Sequence, residues 1–395
     1  MSRKTLLVLA ASRYQLDTIR CAKALGYRVV TTDNRPDNPG HALADRAYGV
    51  DTRDRDGVLS IARAEGIEGI ISPCTDAAMP TLAHVASHLG LPGPTLKAVD
   101  TCTSKLAFRH FLLRHGFAVP QVIEIGDGDL PGDSLSDGTW ILKPDCSSGA
   151  KGVFIIRSAE ELRQRLPDTT SHSLSGRALL ESFIPGTQHT VEGILHRGSF
   201  ALACLTDRLT PPPPFATTLG HLVPSAEPMQ FQQQALSTIL DACQQLGITD
   251  GPFDCDFVIH EGRTFILEMS PRMGGNSLGR LVGAAYHVDL VDYSVRFACG
   301  EAPSLPVNLH PRPTAVLLLG CWHAGRLHYN VDAATRLRSE PWVAALEIDQ
   351  PVGSEVEPFV NGRHRVGEAL ITGPDRDALV SRIRLLQHSL GLESM

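Results

Sequence analysis

Between residues 4 and 72 the chain alternates short apolar runs with amphipathic stretches, and this alternation restricts the fold more than any other feature. Lys4-Thr5-Leu6-Leu7-Val8-Leu9-Ala10-Ala11 reads as a strand. Leu16, Ile19, Ala22 and Leu25 then recur at helical spacing, with Gly26 where a helix would stop. Tyr27–Thr32 is a second β-rich run ending at Asp33. Val58, Leu59, Ile61 and Ala62, a stop at Gly66, and the strand Ile67–Ser72 repeat the theme. Strands separated by helices pack as a parallel sheet with right-handed crossovers. A first α/β domain is therefore expected over about residues 1–102.

Beyond it, a helix is expected near 103–115, closing at Gly116, followed by an Asp- and Gly-rich surface loop from Gly126 to Gly138. Strands are expected at 139–143, 152–156, 178–183, 189–194 and 199–205. Pro211–Pro214 break any regular element, a long amphipathic helix fits 228–246, and 253–260 with 264–269 read as a hairpin around Gly262. From about 301 the chain returns to α/β and ends in a helix near 375–390.

A chain of 395 residues with 43% hydrophobic and 20% charged residues is globular, which excludes disorder or a coiled coil as a description of the whole. Its net charge of −7 gives no general attraction to nucleic acid or an anionic membrane, so any phosphate-bearing ligand must be held by a local site. Nine Cys without a CxxC pair read as thiols in a reducing cytosol and not as a disulfide framework. The apolar run after Arg3-Lys4 is too short for a signal-peptide core, and no stretch approaches the roughly 18 apolar residues that span a bilayer. A soluble, cytoplasmic protein is expected.

Two constellations could carry chemistry. In Trp140-Ile141-Leu142-Lys143-Pro144-Asp145-Cys146-Ser147-Ser148-Gly149-Ala150-Lys151-Gly152 a strand ends in a lysine and a Ser/Gly loop leads to a second lysine. Successive N–H groups of such a loop can wrap phosphate oxygens, with Lys143 and Lys151 as point charges. No GxxxxGK[ST] occurs, so this is not a P-loop. The second constellation is Asp254-Cys255-Asp256 with Glu268-Met269-Ser270-Pro271-Arg272. A three-residue turn through Glu261-Gly262-Arg263 sets Asp256 opposite Glu268; a two-residue turn puts them on opposite faces. Converging carboxylates need a cation between them, and Mg²⁺ suits oxygen ligands beside a phosphate. In extended chain Glu268, Ser270 and Arg272 share one face.

Taken together, these segments resemble the ATP-grasp superfamily over nearly the whole chain. The resemblance implies a multidomain protein mixing α/β and α+β parts: a Rossmann-like pre-ATP-grasp domain (1–102), an ATP-grasp fold of two lobes (103–300, hinge near 181–186) and a small C-terminal lid domain (301–395). It implies that Lys105 and Lys143 bind phosphate with the loop residues Ser147, Ser148 and Gly149. Glu181, Phe183 and Ile184 would form the adenine hinge, and Asp256 and Glu268 would hold Mg²⁺, with Mn²⁺ as an alternative. Arg272 matches the arginine at the reacting phosphoryl group. Gly220-His221-Leu222-Val223-Pro224 is similar to a segment of the L-amino-acid ligases, which makes His221 a candidate for substrate contact; the stretch Val360–Gly367 is similar to their lid. Two places depart from the family pattern: Ser270 stands where a metal-binding Asn is usual, its hydroxyl serving as the Mg²⁺ ligand, and Gln188-His189 stand where a ribose-binding Glu is common, their amide or imidazole hydrogen-bonding the ribose.

The implied activity is an ATP-dependent carboxylate–amine ligase acting through an acyl phosphate, with small-molecule acid and amine substrates and a homodimeric assembly. An ATP-dependent carboxylase and a nucleotide-binding module without catalysis are alternatives. A serine hydrolase is another, because Gly275-Asn276-Ser277-Leu278-Gly279 matches G-x-S-x-G. Ser277, however, lies well beyond the strand and suits a helix N-cap. His84 and His88, at i,i+4 without a third ligand nearby, read as structural.

Overall fold

The computed structural model describes residues 3–125, 138–211, 217–306 and 309–395. The loop expected from Gly126 to Gly138 lies outside the described residues except for its last residue, as do Pro212–Pro214.

The first sheet forms as the alternation requires. Strands Arg46–Tyr48, Arg28–Thr32, Thr5–Leu9 and Gly69–Ile71 lie side by side in that order, all parallel. Helices Leu16–Ala24, Arg55–Glu65 and Met79–Leu89 connect or flank them. Gly66 ends its helix in the left-handed conformation (φ 59°). One face of the sheet is covered by a helix from far downstream, Leu290–Ala298, whose Val295 and Ala298 pack with Leu6, Val8, Ile19 and Ile71. Gly69 permits this approach: a Cβ there would stand 2.7 Å from the Ala298 carbonyl oxygen.

The middle of the chain supplies two antiparallel layers. Strands Val122–Ile125, Ala178–Ser182, Trp140–Pro144 and Phe154–Ile156 form a small sheet backed by helix Ala159–Ser171. Its core is Ile125, Trp140, Leu142, Ile156, Leu162, Ala178 and Leu180. The second layer has eight strands among the described residues: Arg263–Ser270, Gly251–His260, Thr187–His196, Ser199–Leu209, Gly220–Val223, Thr314–Leu319, Gly367–Thr372 and Val343–Ile348, in that spatial order. Helix Met229–Leu246 covers one face of the first four, burying Ala235, Ile239, Ala242 and Cys243 against Val191, Phe253, Phe257 and Met269. Helix Arg376–Leu390 packs with the last strands through Leu379, Ile383 and Leu386.

Period-two alternation sends Gln188 and Thr190 of one strand and Asp256 and Val258 of the next to the opposite, polar face. A cleft of about 350 Å³ opens between that face and the small sheet. Among the described residues no helix is long and apolar enough to cross a membrane.

Candidate active site

The hairpin that carries the two candidate metal ligands closes through the shorter of the two turns. His260 pairs with Arg263 across Glu261-Gly262, both at positive φ (50° and 72°), as a tight two-residue turn demands. In an unbroken ladder Leu267 would then face Asp256, and Glu268 would point into the core. Instead the register shifts: Phe257 pairs with Ile266, but Asp256 pairs with Glu268. Leu267 is the extra residue of a β-bulge, and it turns every later side chain to the other face. Leu267 and Glu268 both line the cleft, while Ile266 and Met269 stay in the core. The facing carboxylates are present, and a bulge produces them.

Each carboxylate meets a cation. Arg208 Nη1 donates to Asp256 Oδ2 at 2.7 Å, and Lys105 Nζ stands 3.7 Å from Glu268 Oε2. The Asp256 and Glu268 side chains are 26% and 35% exposed, open enough to accept a ligand from the cleft. Among the described residues no three His, Cys, Asp or Glu side chains converge as a metal cage. Two accessible carboxylates suit Mg²⁺, which commonly takes one or two from protein and fills its shell with phosphate oxygens and water.

The opposite wall is built around Glu181. Its buried carboxylate accepts from Arg109 Nε and Lys143 Nζ, both at 2.6 Å. Burial alone would raise its pKa, but Arg109 and Lys143 outweigh that and hold it at about 2. The folded chain thus keeps this carboxyl ionised more firmly than the unfolded chain does, so acid favours unfolding. We expect about 3 kcal/mol of stability, complete above about pH 5, to be lost as pH falls from about 4.5 to about 2. Urea unfolding of wild type and Glu181→Gln against pH checks this; parallel acid limbs for the two would refute it.

The Ser/Gly loop is tied down at its base. Asp145 accepts from Leu106 N, Ser104 Oγ and Ser175 Oγ, fastening the loop to the start of helix Lys105–Arg114. Lys105 Nζ donates to the Ser147 carbonyl at 2.9 Å. Gly149, Ala150 and Gly152 all have positive φ, a run that winds the backbone into a concave turn. Ser147, Ser148, Gly149 and Lys151 line the cleft, as do Lys105, Lys143, Glu181, Phe183, Ile184 and Gln188.

Five expected site residues fall elsewhere. His189 is buried behind the sheet, between Asp207 (3.2 Å) and Glu227 (3.5 Å), because it neighbours Gln188 on a strand and must face the other way. His221 is buried outside the cleft lining, with Nδ1 3.1 Å from Thr206 Oγ1; burial lowers its pKa to about 4, so the imidazole is neutral. Ser270 is also buried, and its hydroxyl donates to Asp76 Oδ1 at 2.9 Å. Arg272 lies beside it and grips Asp76 through Nε (2.9 Å) and Nη2 (2.6 and 2.7 Å), while Nη1 donates to the Met273 carbonyl. Neither lines the cleft. Ser277 stands at the N-cap position of helix Leu278–Tyr286 but makes no side-chain cap; its hydroxyl donates to Glu368 Oε2, not to a histidine.

Several polar groups carried no sequence signal of their own. Arg208 is a single arginine in an ordinary strand, and nothing in the sequence pairs Asp76 with Arg272. Buried Glu192 faces half-buried Asp254 across the ladder. Burial, then the Asp256 charge, pushes Asp254 up to about 8; burial, then Asp254, raises Glu192. Arg109 could have been noticed as a lone charge among Leu106, Phe108, Phe111 and Leu112, four residues after Lys105.

Residues 102–276 match the ATP-grasp domain family. Carnosine synthase 1 of Gallus gallus is 26% identical over 346 residues, 79% of this chain and 37% of that protein. The L-arginine-specific L-amino acid ligase of Bacillus subtilis is 24% identical over 264 residues, 64% of this chain and 62% of that one. The chain therefore spans less than two thirds of either relative. The crystal structure of an L-amino acid ligase from Bacillus licheniformis superposes with a TM-score of 0.85 at 17% identity, covering 100% of this chain and 99% of the other.

Proposed function

Because residues 102–276 match the ATP-grasp domain family, we propose that this protein is an ATP-dependent ligase joining a small carboxylic acid to a small amine. The observation that carries this reading is the cleft itself. It gathers three lysines, a tethered Ser/Gly loop, an extended hinge at Glu181–Ile184 and, on the facing wall, two paired carboxylates.

Lys105 and Lys143 would bind phosphate oxygens, with the loop closing over them to exclude water. The hinge backbone would hold the base. Asp256 and Glu268 would hold Mg²⁺, which supplies neutralisation of phosphate charge. A carboxylate oxygen of the acid would attack the γ-phosphorus and release ADP. The amine would then attack the acyl carbon, lose a proton and expel phosphate. The chemistry needs positioning and charge more than covalent help, because phosphorylation replaces an oxide leaving group with a good one. A cytoplasmic homodimer belongs to the same reading.

The test is ADP release with Mg-ATP across a panel of amino acids and small carboxylates, each with and without an amine. Release that needs both an acid and an amine is expected. Release with bicarbonate alone would redirect the reading to a carboxylase, and none with any pair would overturn it.

A further inference from the structure

Arg109 sits one turn along the helix that begins at Lys105 and is 3% exposed. Its guanidinium reaches both walls of the cleft from behind. On the hinge side Nε donates to Glu181 Oε1 at 2.6 Å, and Nη2 lies 3.5 Å from Oε2. On the hairpin side Nη1 donates to the Ile266 carbonyl at 3.2 Å and Nη2 to the Leu267 carbonyl at 2.8 Å. Ile266 and Leu267 are the residues at which the register slips.

A bulge takes backbone groups out of the ladder, and a buried carbonyl left without a donor is costly. Arg109 satisfies two such carbonyls from one planar fork while holding the carboxylate that anchors Lys143. We propose that Arg109 is a positioning residue: it locks the bulge that turns Glu268 toward Asp256 and, with the same group, the Glu181–Lys143 pair across the cleft. The metal-binding and phosphate-binding walls are thereby kept in register. A lysine could reach one of these partners but not both, because it lacks the fork.

The inference rests on the reading of Asp256 and Glu268 as Mg²⁺ ligands, and its test separates the two. Binding of a non-hydrolysable ATP analogue would be measured by calorimetry at graded Mg²⁺ for wild type, Arg109→Lys and Glu181→Gln, with melting temperatures taken without ligand. Arg109→Lys should raise the Mg²⁺ midpoint about tenfold or more, the usual scale for a group that orients a metal ligand, and weaken nucleotide binding as well. Glu181→Gln leaves the hold on the bulge in place, so nucleotide binding should weaken while the Mg²⁺ midpoint stays put. An Arg109→Lys protein that melts lower yet keeps the wild-type Mg²⁺ midpoint overturns the proposal. Should Arg109→Lys fail to fold, Glu181→Gln decides: a Mg²⁺ midpoint that climbs with the nucleotide loss also overturns it. Wild-type protein that binds no Mg-nucleotide overturns the ligase reading itself.

Discussion

Glu268→Gln should give a folded protein whose substrate-dependent ADP release falls by about 10²–10³-fold, equivalent to about 3–4 kcal/mol of transition-state stabilisation. The amide keeps the size and the place in the ladder but removes the charge. Asp256 would then hold a metal alone, and Lys105 would lose the carboxylate 3.7 Å away. Melting temperature should barely move, because Glu268 is partly exposed and its ion pair with Lys105 is long. Turnover measured over a wide Mg²⁺ range separates weak metal binding, which excess Mg²⁺ would partly restore, from a lost assignment. Unchanged turnover with an unchanged Mg²⁺ requirement would remove Glu268 from the metal site.

The second large effect falls on stability. Arg272→Met should destabilise the protein by about 3–5 kcal/mol, because it strands a carboxylate whose main partner is gone. Burial works to raise the Asp76 pKa, and the Arg272 guanidinium overcomes this to hold it below the ordinary value. The pair joins the segment after strand Gly69–Ile71 to the end of strand Arg263–Ser270, so its loss weakens a contact between distant parts of the chain. Replacing both partners, Arg272→Met with Asp76→Leu, should recover much of the loss, since an apolar pair leaves no buried charge. Denaturant unfolding of the single and double variants measures both numbers. If Arg272→Met unfolds like wild type, the brace has no energetic weight and the arginine is free for the phosphoryl group.

The elements whose physics is local were readable before any coordinates. The long helix expected at 228–246 spans Met229–Leu246, and the last one, expected at 375–390, spans Arg376–Leu390. Lys105, Lys143 and the Ser/Gly loop also reach the cleft, because each sits at an element boundary marked by its own residues. Failures began where the outcome depends on contact between distant segments. The bulge at Leu267 has no glycine or proline to announce it; the donor that fixes it, Arg109, lies 158 residues away. Asp76 and Arg272 are 196 residues apart. The assignment of both Gln188 and His189 to one nucleotide had a readable flaw, because neighbours on a strand face opposite ways.

The four-residue strand Gly220–Val223 pairs on one side with Ser199–Leu209 and on the other with Thr314–Leu319. It is the seam by which the last quarter of the chain is zipped to the strands that line the cleft. Excising residues beyond about 300 bares a row of amide and carbonyl groups along this seam. Such a raw border recruits any extended chain that finds it, its own copies included. Exchange of the C-terminal quarter as a cassette therefore invites oligomers stitched at that border.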